Sequence, residues 1–218
     1  MFEDRLFTVS FNSSASVDEG PDNYLITVEG KILCLDDSDE ERVAGKLRIF
    51  FADLDGAADA GHDPLYILDM QAGTAPFYAT LFDPETNDFK KGVYRLAGGD
   101  IFSRDLLILD RLEILPAYRG NRLGLACLYR CIQQYWHGCG LVALKCFPLQ
   151  FEVHTDRPNT DGWRQKMEME GLGTELRSCQ LKLEKYYGLL GFKKVGRTEF
   201  MILNPSHARP RLGEMGFQ

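Results

Sequence analysis

Two long apolar runs separated by an amphipathic segment restrict this chain to a narrow group of folds. Residues 106–115 form a nearly continuous apolar run, typical of a strand that is buried on both faces of a sheet. A proline and a basic turn that contains glycine follow, and residues 123–136 then carry apolar side chains at helical spacing. Residues 141–147 form the second apolar run. Together these segments predict a βαβ unit whose two strands are parallel neighbours.

The turn before the helix, residues 116–124, has the composition of an anion-binding loop. It contains the cationic residues Arg119 and Arg122 and the glycines Gly120 and Gly124. A strand–turn–helix of this kind directs several backbone N–H groups and a helix N-terminus at one point, which suits a phosphate or pyrophosphate. The alternative is an ordinary exposed turn, in which Gly124 only permits close packing of the helix.

The segments before the βαβ unit predict two strands followed by helical structure. Residues 24–35 and 46–54 are rich in β-branched and aromatic residues, and the acidic segment 36–41 between them suits a solvated turn. Residues 55–63 are predicted to form a loop. Residues 64–82 carry apolar side chains at roughly helical spacing, broken by glycine and proline, and predict one or two short helices.

The segments after the βαβ unit predict an inserted excursion, a helix and a hairpin. Residues 149–172 are polar and rich in turn formers, as expected for an insertion that could cap or gate a site. The last helix places Leu176, Cys179, Leu183, Tyr187 and Leu190 on one face and ends at Gly191. A short hairpin within residues 192–203 then closes the fold.

Composition excludes several classes of protein. The chain has 218 residues and a net charge of −7, which argues against a nucleic-acid-binding protein with a general basic surface. No apolar stretch approaches the roughly 18 residues of a membrane span, and the N-terminus has no signal-peptide order. The six cysteines form no closely spaced pairs, so reduced thiols in a cytoplasmic protein are expected.

Two short motifs resemble those of the GNAT superfamily, the N-acetyltransferases that use acetyl-CoA. Residues 116–124 resemble its pyrophosphate loop, in which Gln or Arg is followed by two spaced small residues. Residues 187–192, Tyr-Gly-Leu-Leu-Gly-Phe, are similar to its closing helix–strand junction. The resemblance covers residues 105–204, roughly half of the chain.

The resemblance implies an α/β fold: a mixed, mostly antiparallel twisted sheet that is flanked by helices. The whole chain, 1–218, is then a single domain with an atypical N-terminal half, 1–104, and an insertion at 149–172. The family usually places helices between its first two strands, whereas this sequence predicts two strands first. Arg122 stands where the family usually has its first glycine. Arginine is not expected to take the positive-φ conformations of glycine, so either the cradle is altered or this position needs no glycine.

The resemblance also implies how acetyl-CoA binds. Main-chain groups of Ile114 and Leu115 hold the pantetheine arm, and N–H groups of residues 121–124 hold the pyrophosphate at the helix N-terminus. The side chains of Arg119 and Arg122 are the best placed to add positive charge. The implied cofactor-binding set is therefore Ile114, Leu115, Arg119, Gly120, Asn121, Arg122, Leu123 and Gly124.

Acetyl transfer needs a group that removes a proton from the amine and a group that protonates the leaving thiolate. Tyr187 resembles the family's general acid, and the alternative is a core aromatic residue. Tyr186 is the neighbouring candidate, but a rotation of about 100° along the helix is expected to direct it elsewhere.

Asp110 is the first candidate for the base, because it is a lone carboxylate in an apolar strand and burial would raise its pKa. Strand alternation predicts that it shares a face with four apolar residues: Leu106, Ile108, Leu112 and Ile114. The alternative is that it pairs with a cation such as Arg104 or Arg111. Glu113 is the second candidate, and its alternative is pairing with Arg111 or Arg130.

These residues lead to two hypotheses. The first is an acetyl-CoA-dependent N-acyltransferase that acetylates a primary amine, of a small molecule or a peptide, by direct transfer in a ternary complex. The second is a catalytically silent acyl-CoA-binding regulatory or sensor module of the same fold. No metal is expected, since Cys127 and Cys131 lie in the helix-packing region without a second ligand pair. No nucleic acid or membrane is expected as a partner, and a second copy of the chain is one candidate.

Overall fold

A seven-stranded sheet runs through the computed structural model, which describes residues 5–35, 40–152, 162–207 and 210–214. The strands are β1 (Leu6–Ser13), β2 (Leu25–Leu35), β3 (Glu41–Ala52), β4 (Phe82–Asp83), β5 (Asp88–Phe89), β6 (Leu106–Ile114), β7 (Leu141–Lys145), β8 (Lys193–Lys194) and β9 (Phe200–Leu203). The order in the large sheet is β1-β2-β3-β6-β7-β9-β8, and β4 pairs with β5 in a separate ribbon. Within the described residues, β6 and β7 are the one parallel pair.

Helices cover both faces of this sheet. They are α1 (Leu54–Asp59), α2 (Pro64–Asp69), α3 (Ala75–Leu81), α4 (Lys91–Ala97), α5 (Leu123–Tyr135), α6 (Trp163–Lys166) and α7 (Leu176–Gly188). Single 3₁₀ turns lie at Pro21–Tyr24, Pro116–Tyr118, Leu149–Phe151 and Met169–Gly171. None of the helices in the described part of the chain is long and apolar enough to cross a membrane.

The sheet separates two hydrophobic cores because strand side chains alternate between its faces. Leu47 and Ile49 of β3 pack in the core that α5 covers and that α7 flanks. Phe50 and Ala52 point to the opposite core, under α1–α4. The predicted α/β class, with a mixed and mostly antiparallel sheet, is confirmed.

The predicted βαβ unit is confirmed as β6, α5 and β7. Leu106 lies opposite Leu141, and the parallel pairing continues to Leu109 and Leu144. The two predicted N-terminal strands are confirmed as β2 and β3, which pair antiparallel. Residues 36–39 of the predicted acidic turn, and residues 153–161 of the predicted excursion, lie outside the described part of the chain.

The prediction of a loop at residues 55–63 was wrong, because α1 begins at Leu54 and occupies the first half of that segment. The Asp53 carboxylate accepts a hydrogen bond from the Gly56 N–H and caps this helix. Leu54 and Ala57 are fully buried, so packing holds a segment whose glycine and alanine content suggested a turn. The strand β1 and the helix α4 were not predicted, and three strands precede the helices instead of two.

The central strand β6 contains a β-bulge at Asp110. Ile49 of β3 lies opposite Leu109, and the next β3 residue, Arg48, lies opposite Arg111. Asp110 is therefore an extra residue in β6, with no partner opposite it in β3. A bulge reverses the alternation of side chains for every residue that follows it in the strand.

The predicted common face of β6 was wrong for this reason. Leu106 and Ile108 do share one face, but it is the face that α1–α4 cover. Leu112 and Ile114, beyond the bulge, pack against the opposite core. Asp110 lies at the change between the two patterns.

Candidate functional site

A cavity of about 420 Å³ opens where β6 and β7 part. The two strands pair only as far as Leu109 and Leu144, whereas β6 continues for five more residues to Ile114. The cavity lies beside that unpaired stretch of β6. Its other walls are α7 and the segments 147–150 and 167–173, so part of the predicted excursion covers it. A volume of this size is in the range of small-molecule sites.

The basic turn reaches α5 through two left-handed residues. Gly120 has φ 88°, and Arg122 has φ 59° and ψ 13° directly before the first helical residue, Leu123. The expectation that arginine would not adopt positive φ was therefore wrong. The turn has a left-handed conformation at Arg122, and α5 presents its N-terminus to the end of β6.

Arg119 joins the end of β6 to the covering segment. Its Nε donates to the Ile114 carbonyl at 2.8 Å, and its Nη2 donates to the Met167 carbonyl. The Leu115 N–H donates to the Ala44 carbonyl at 2.9 Å. The Ile114 carbonyl and the Leu115 N–H, which were expected to hold a pantetheine arm, thus have partners inside the protein.

Tyr186 and Tyr187 both line the cavity, with ring centroids 5.6 Å apart in an edge-to-face contact. The expectation that Tyr186 would point elsewhere was wrong. Burial raises the pKa of Tyr187, and the neighbouring Cys146 adds to the shift. Burial also raises the pKa of Tyr186 to about 12, against the opposing effect of a hydrogen bond from the Leu125 backbone. Both phenols therefore keep their protons at neutral pH.

The hydroxyl of Tyr186 lies at the first turn of α5. A methyl group built on Gly124 would lie 2.6 Å from Tyr186 Oη and 3.0 Å from Leu112 Cδ2. Since real side-chain carbons do not approach so closely, an alanine at position 124 would require Tyr186 or Leu112 to move. Gly124 thus allows α7 to bring a phenol hydroxyl to the N-terminus of α5.

Asp110 lines the cavity and is paired with Arg48 of β3. Arg48 Nε and Nη2 lie 2.7 Å and 2.6 Å from the same oxygen, Asp110 Oδ2. Asp110 is thus paired with a cation, but that cation is Arg48 and not one of the two candidates named from the sequence. Of the two cations that were named, Arg104 pairs instead with Asp55.

Glu113 does not line the cavity, but it belongs to a polar network that includes the lining residue Arg111. It accepts from Arg111 Nη1 at 3.0 Å and from Trp163 Nε1 at 2.8 Å, and Lys46 Nζ lies 4.1 Å from the Trp163 ring centroid. Glu152 is the second partner of Arg111. Burial alone would lower the pKa of Arg111, but the two carboxylates outweigh it and hold that pKa above its ordinary value.

Arg48, Trp163 and Met167 are the site residues that sequence reasoning missed. Arg48 and Asp110 are 62 positions apart in the chain. They meet because of the register of β3 against β6, which no local sequence pattern predicts. Trp163 and Met167 lie in the predicted excursion, 149–172. The presence of a tryptophan in this polar, turn-rich segment was the one sequence feature that could have indicated that the segment packs against the site.

The cysteines are buried and free of disulfides in the structure. Burial raises the pKa of Cys127, Cys139 and Cys146 to about 12 each. These thiols stay protonated at neutral pH and are not activated nucleophiles. Among the residues that the structure describes, no three His, Cys, Asp or Glu side chains are grouped to hold a metal ion.

Comparisons with models of known protein families, with curated proteins and with solved structures find no significant match for this chain.

Proposed function

We propose that this chain is an acetyl-CoA-dependent N-acyltransferase that transfers an acetyl group directly to a primary amine. The observation that carries the proposal is the parting of β6 and β7 beside the N-terminus of α5. Leu112 and Ile114 line the cavity and also lie close to Gly124 in the first turn of α5, so the cavity is next to a helix N-terminus. Each of the two motifs that resemble the GNAT superfamily, at 116–124 and 187–192, contributes one residue to the lining, Arg119 and Tyr187.

The residues around the cavity offer hydrogen-bond donors and positive charge to an acyl-CoA. The N–H groups in the first turn of α5 have no acceptors within the helix, as at any helix N-terminus, and suit a pyrophosphate. The lining has four cationic side chains, Arg111, Arg119, Lys145 and Lys182, and one carboxylate, Asp110. Two of these cations already have carboxylate partners, Arg111 with Glu113 and Glu152 and Lys145 with Glu199, so Arg119 and Lys182 carry the attraction of the lining for an anionic ligand.

Acyl transfer in this site needs two proton movements. The amine nitrogen attacks the thioester carbonyl carbon, the carbon–sulfur bond breaks, and the sulfur leaves as a thiolate. Tyr187 keeps its proton and lines the cavity, so it is our candidate for the donor to that thiolate. Asp110 is our candidate for the group that takes the amine proton, directly or through water.

The pairing of both carboxylates favours a second candidate function. Asp110 is bound by Arg48, and Glu113 is bound by Arg111 and Trp163. A site with no carboxylate able to take a proton would bind an acyl-CoA without transferring its acyl group. We therefore carry an acyl-CoA-binding regulatory or sensor module as the alternative.

One experiment separates the two candidates. Acetyl-CoA binding is measured by calorimetry, and thiol release is followed across a panel of small amines and peptide N-termini. The proposal expects turnover with some amine, a loss of about 10²-fold or more in Tyr187→Phe, and a clear loss in Asp110→Asn. Tyr66→Phe, on an exposed tyrosine of α2, is the matched control and should leave the rate unchanged.

The other outcomes are equally decisive. Binding of acetyl-CoA without turnover across the panel favours the sensor module. If acetyl-CoA does not bind, neither candidate holds.

We place the protein in the cytoplasm, a proposal supported by its free, buried cysteines.

A further inference from the structure

We infer that two copies of this chain pair through β1, as antiparallel strands related by a two-fold axis at Val9. The two sheets would then join into one sheet across the axis. This inference concerns the edge of the sheet and does not depend on acyl transfer.

The strand β1 is a long edge strand. It lies at one end of the strand order and spans eight residues, whereas the strand at the other end, β8, spans two. Within the described residues, nothing pairs with the outer edge of β1. An unpaired edge presents a row of backbone donors and acceptors that another strand can satisfy.

The sequence of β1 lacks the features that protect an edge from pairing. Residues 6–13, Leu-Phe-Thr-Val-Ser-Phe-Asn-Ser, contain no charged residue and no proline. Proteins that avoid edge pairing usually place lysine, proline or a bulge there. The register between β1 and β2 is continuous over all eight residues, so no bulge interrupts β1.

The centre of β1 reads chemically the same in both directions. Residues 7–11 are Phe, Thr, Val, Ser and Phe. In an antiparallel pair centred on Val9, each Phe7 lies opposite Phe11 of the second copy, and each Thr8 lies opposite Ser10. Aromatic pairs, β-branched pairs and hydroxyl pairs are the cross-strand pairs that stabilise antiparallel sheets. An isologous interface requires this kind of self-complementarity.

Among the residues that the structure describes, the aromatic side of β1 makes two ring contacts. Phe7 contacts Tyr118 with ring centroids 6.0 Å apart, and Phe11 contacts Tyr135 at 5.0 Å. Phe7, Val9 and Phe11 are nevertheless only partly buried. In the proposed register, a second copy would place its own Phe11, Val9 and Phe7 directly beside them and extend the apolar face. A second copy of the chain is thus the occupant that matches this edge residue by residue.

Cysteine cross-linking tests the register. Val9→Cys would place two thiols directly opposite each other, and mild oxidation should convert most of the protein to a covalent dimer. Asn12→Cys is the matched control on the same strand. The two copies of position 12 would be six residues apart along the pair, about 20 Å, beyond the reach of a disulfide. The native cysteines are buried and should not compete.

A charge exchange at the exposed Thr8 tests the pairing without a covalent bond. The two copies of position 8 are diagonal neighbours, about 7–8 Å apart, within reach of long side chains. Sedimentation should show a concentration-dependent dimer for the natural sequence and weaker dimers for Thr8→Lys and for Thr8→Glu. An equimolar mixture of the two variants should restore the dimer.

Two results would overturn the inference. One is a natural chain that sediments as a monomer at high micromolar concentration. The other is a Val9→Cys variant that cross-links no faster than Asn12→Cys, since that result would place any dimer interface elsewhere. Thermal unfolding of each variant shows whether β1 is still folded.

Discussion

The Tyr186 hydroxyl lies so close to Gly124 that a methyl group at position 124 would be 2.6 Å from the phenol oxygen. This contact links α7, which also carries Tyr187, to the first turn of α5. Because the Leu125 backbone also hydrogen-bonds the Tyr186 hydroxyl, the two helices meet through a polar group at the predicted phosphate-binding end. Glycine at position 124 therefore lets Tyr186 and Leu112 keep their positions, whatever ligand the helix end binds.

Replacement of Gly124 by alanine should destabilise the protein. The added methyl group would force Tyr186 or Leu112 to move, and overpacking of this kind costs about 1–3 kcal/mol of the free energy of unfolding. Tyr186→Phe in the same chain removes the oxygen and should recover part of that loss. Gly92→Ala, in α4 with open space around it, is the control and should be neutral or stabilising. Equal losses in both alanine variants would contradict the contact.

The two partly buried phenols of Tyr186 and Tyr187 should make stability fall at alkaline pH. Tyrosine ionises near pH 10 in an unfolded chain, whereas burial raises the pKa of Tyr186 to about 12 and also raises that of Tyr187. The folded state thus keeps protons that the unfolded state loses. Their contribution is complete below about pH 10 and is lost as the pH rises through about 12.

Chemical denaturation between about pH 9 and pH 11 checks this prediction. Tyr187→Phe should show a smaller decrease in the free energy of unfolding over that interval than the natural chain. The same pKa values imply that Tyr187 does not limit turnover below about pH 10. An alkaline decrease in kcat near neutral pH that disappears in Tyr187→Phe would contradict the raised pKa.

The β-bulge at Asp110 could not be predicted from the sequence, although the strand that contains it could. The apolar run 106–115 correctly predicted the strand, its parallel partner and the burial of residues 106–109, because these properties follow from local composition. Residues 110–114 of β6 are only partly buried. The bulge depends on the register of β6 against β3, a strand about 60 residues earlier. One extra residue reversed the face of Leu112 and Ile114, and it placed Arg48 rather than Arg111 on Asp110.

The turn before α5 shows the same limit at a single residue. Its position and its basic character were readable from the sequence, and its left-handed geometry at Arg122 was not. Arginine disfavours positive φ, so local propensity argued against the observed conformation. Tertiary packing decides it, since the turn must join the end of β6 to a helix that packs on the same sheet.

Arg119 should hold the covering segment in place. Its guanidinium donates to the carbonyls of Ile114 and Met167, which lie on different elements, and a lysine has no fork that can bridge both. Arg119→Ala and Arg119→Lys should therefore both speed amide hydrogen exchange in residues 162–173 by several-fold, through easier local opening. Arg95→Ala, on the exposed side of α4, is the control. Unchanged exchange in Arg119→Lys would show that one donor is sufficient.

Replacement of Arg122 by glycine should raise the free energy of unfolding and weaken ligand binding. A left-handed arginine costs about 1 kcal/mol relative to glycine, so Arg122→Gly should raise the free energy of unfolding by up to about that amount. If the guanidinium adds charge to a pyrophosphate site, the same variant should bind acetyl-CoA several-fold more weakly, and less so at high salt. Arg122→Lys separates the two effects, because it keeps both the charge and the strained conformation. It should resemble the natural chain in stability and bind acetyl-CoA more tightly than Arg122→Gly. Equal affinity of the glycine and lysine variants for acetyl-CoA would show that the charge at position 122 does not contribute to binding. The phosphate would then be bound by backbone N–H groups alone.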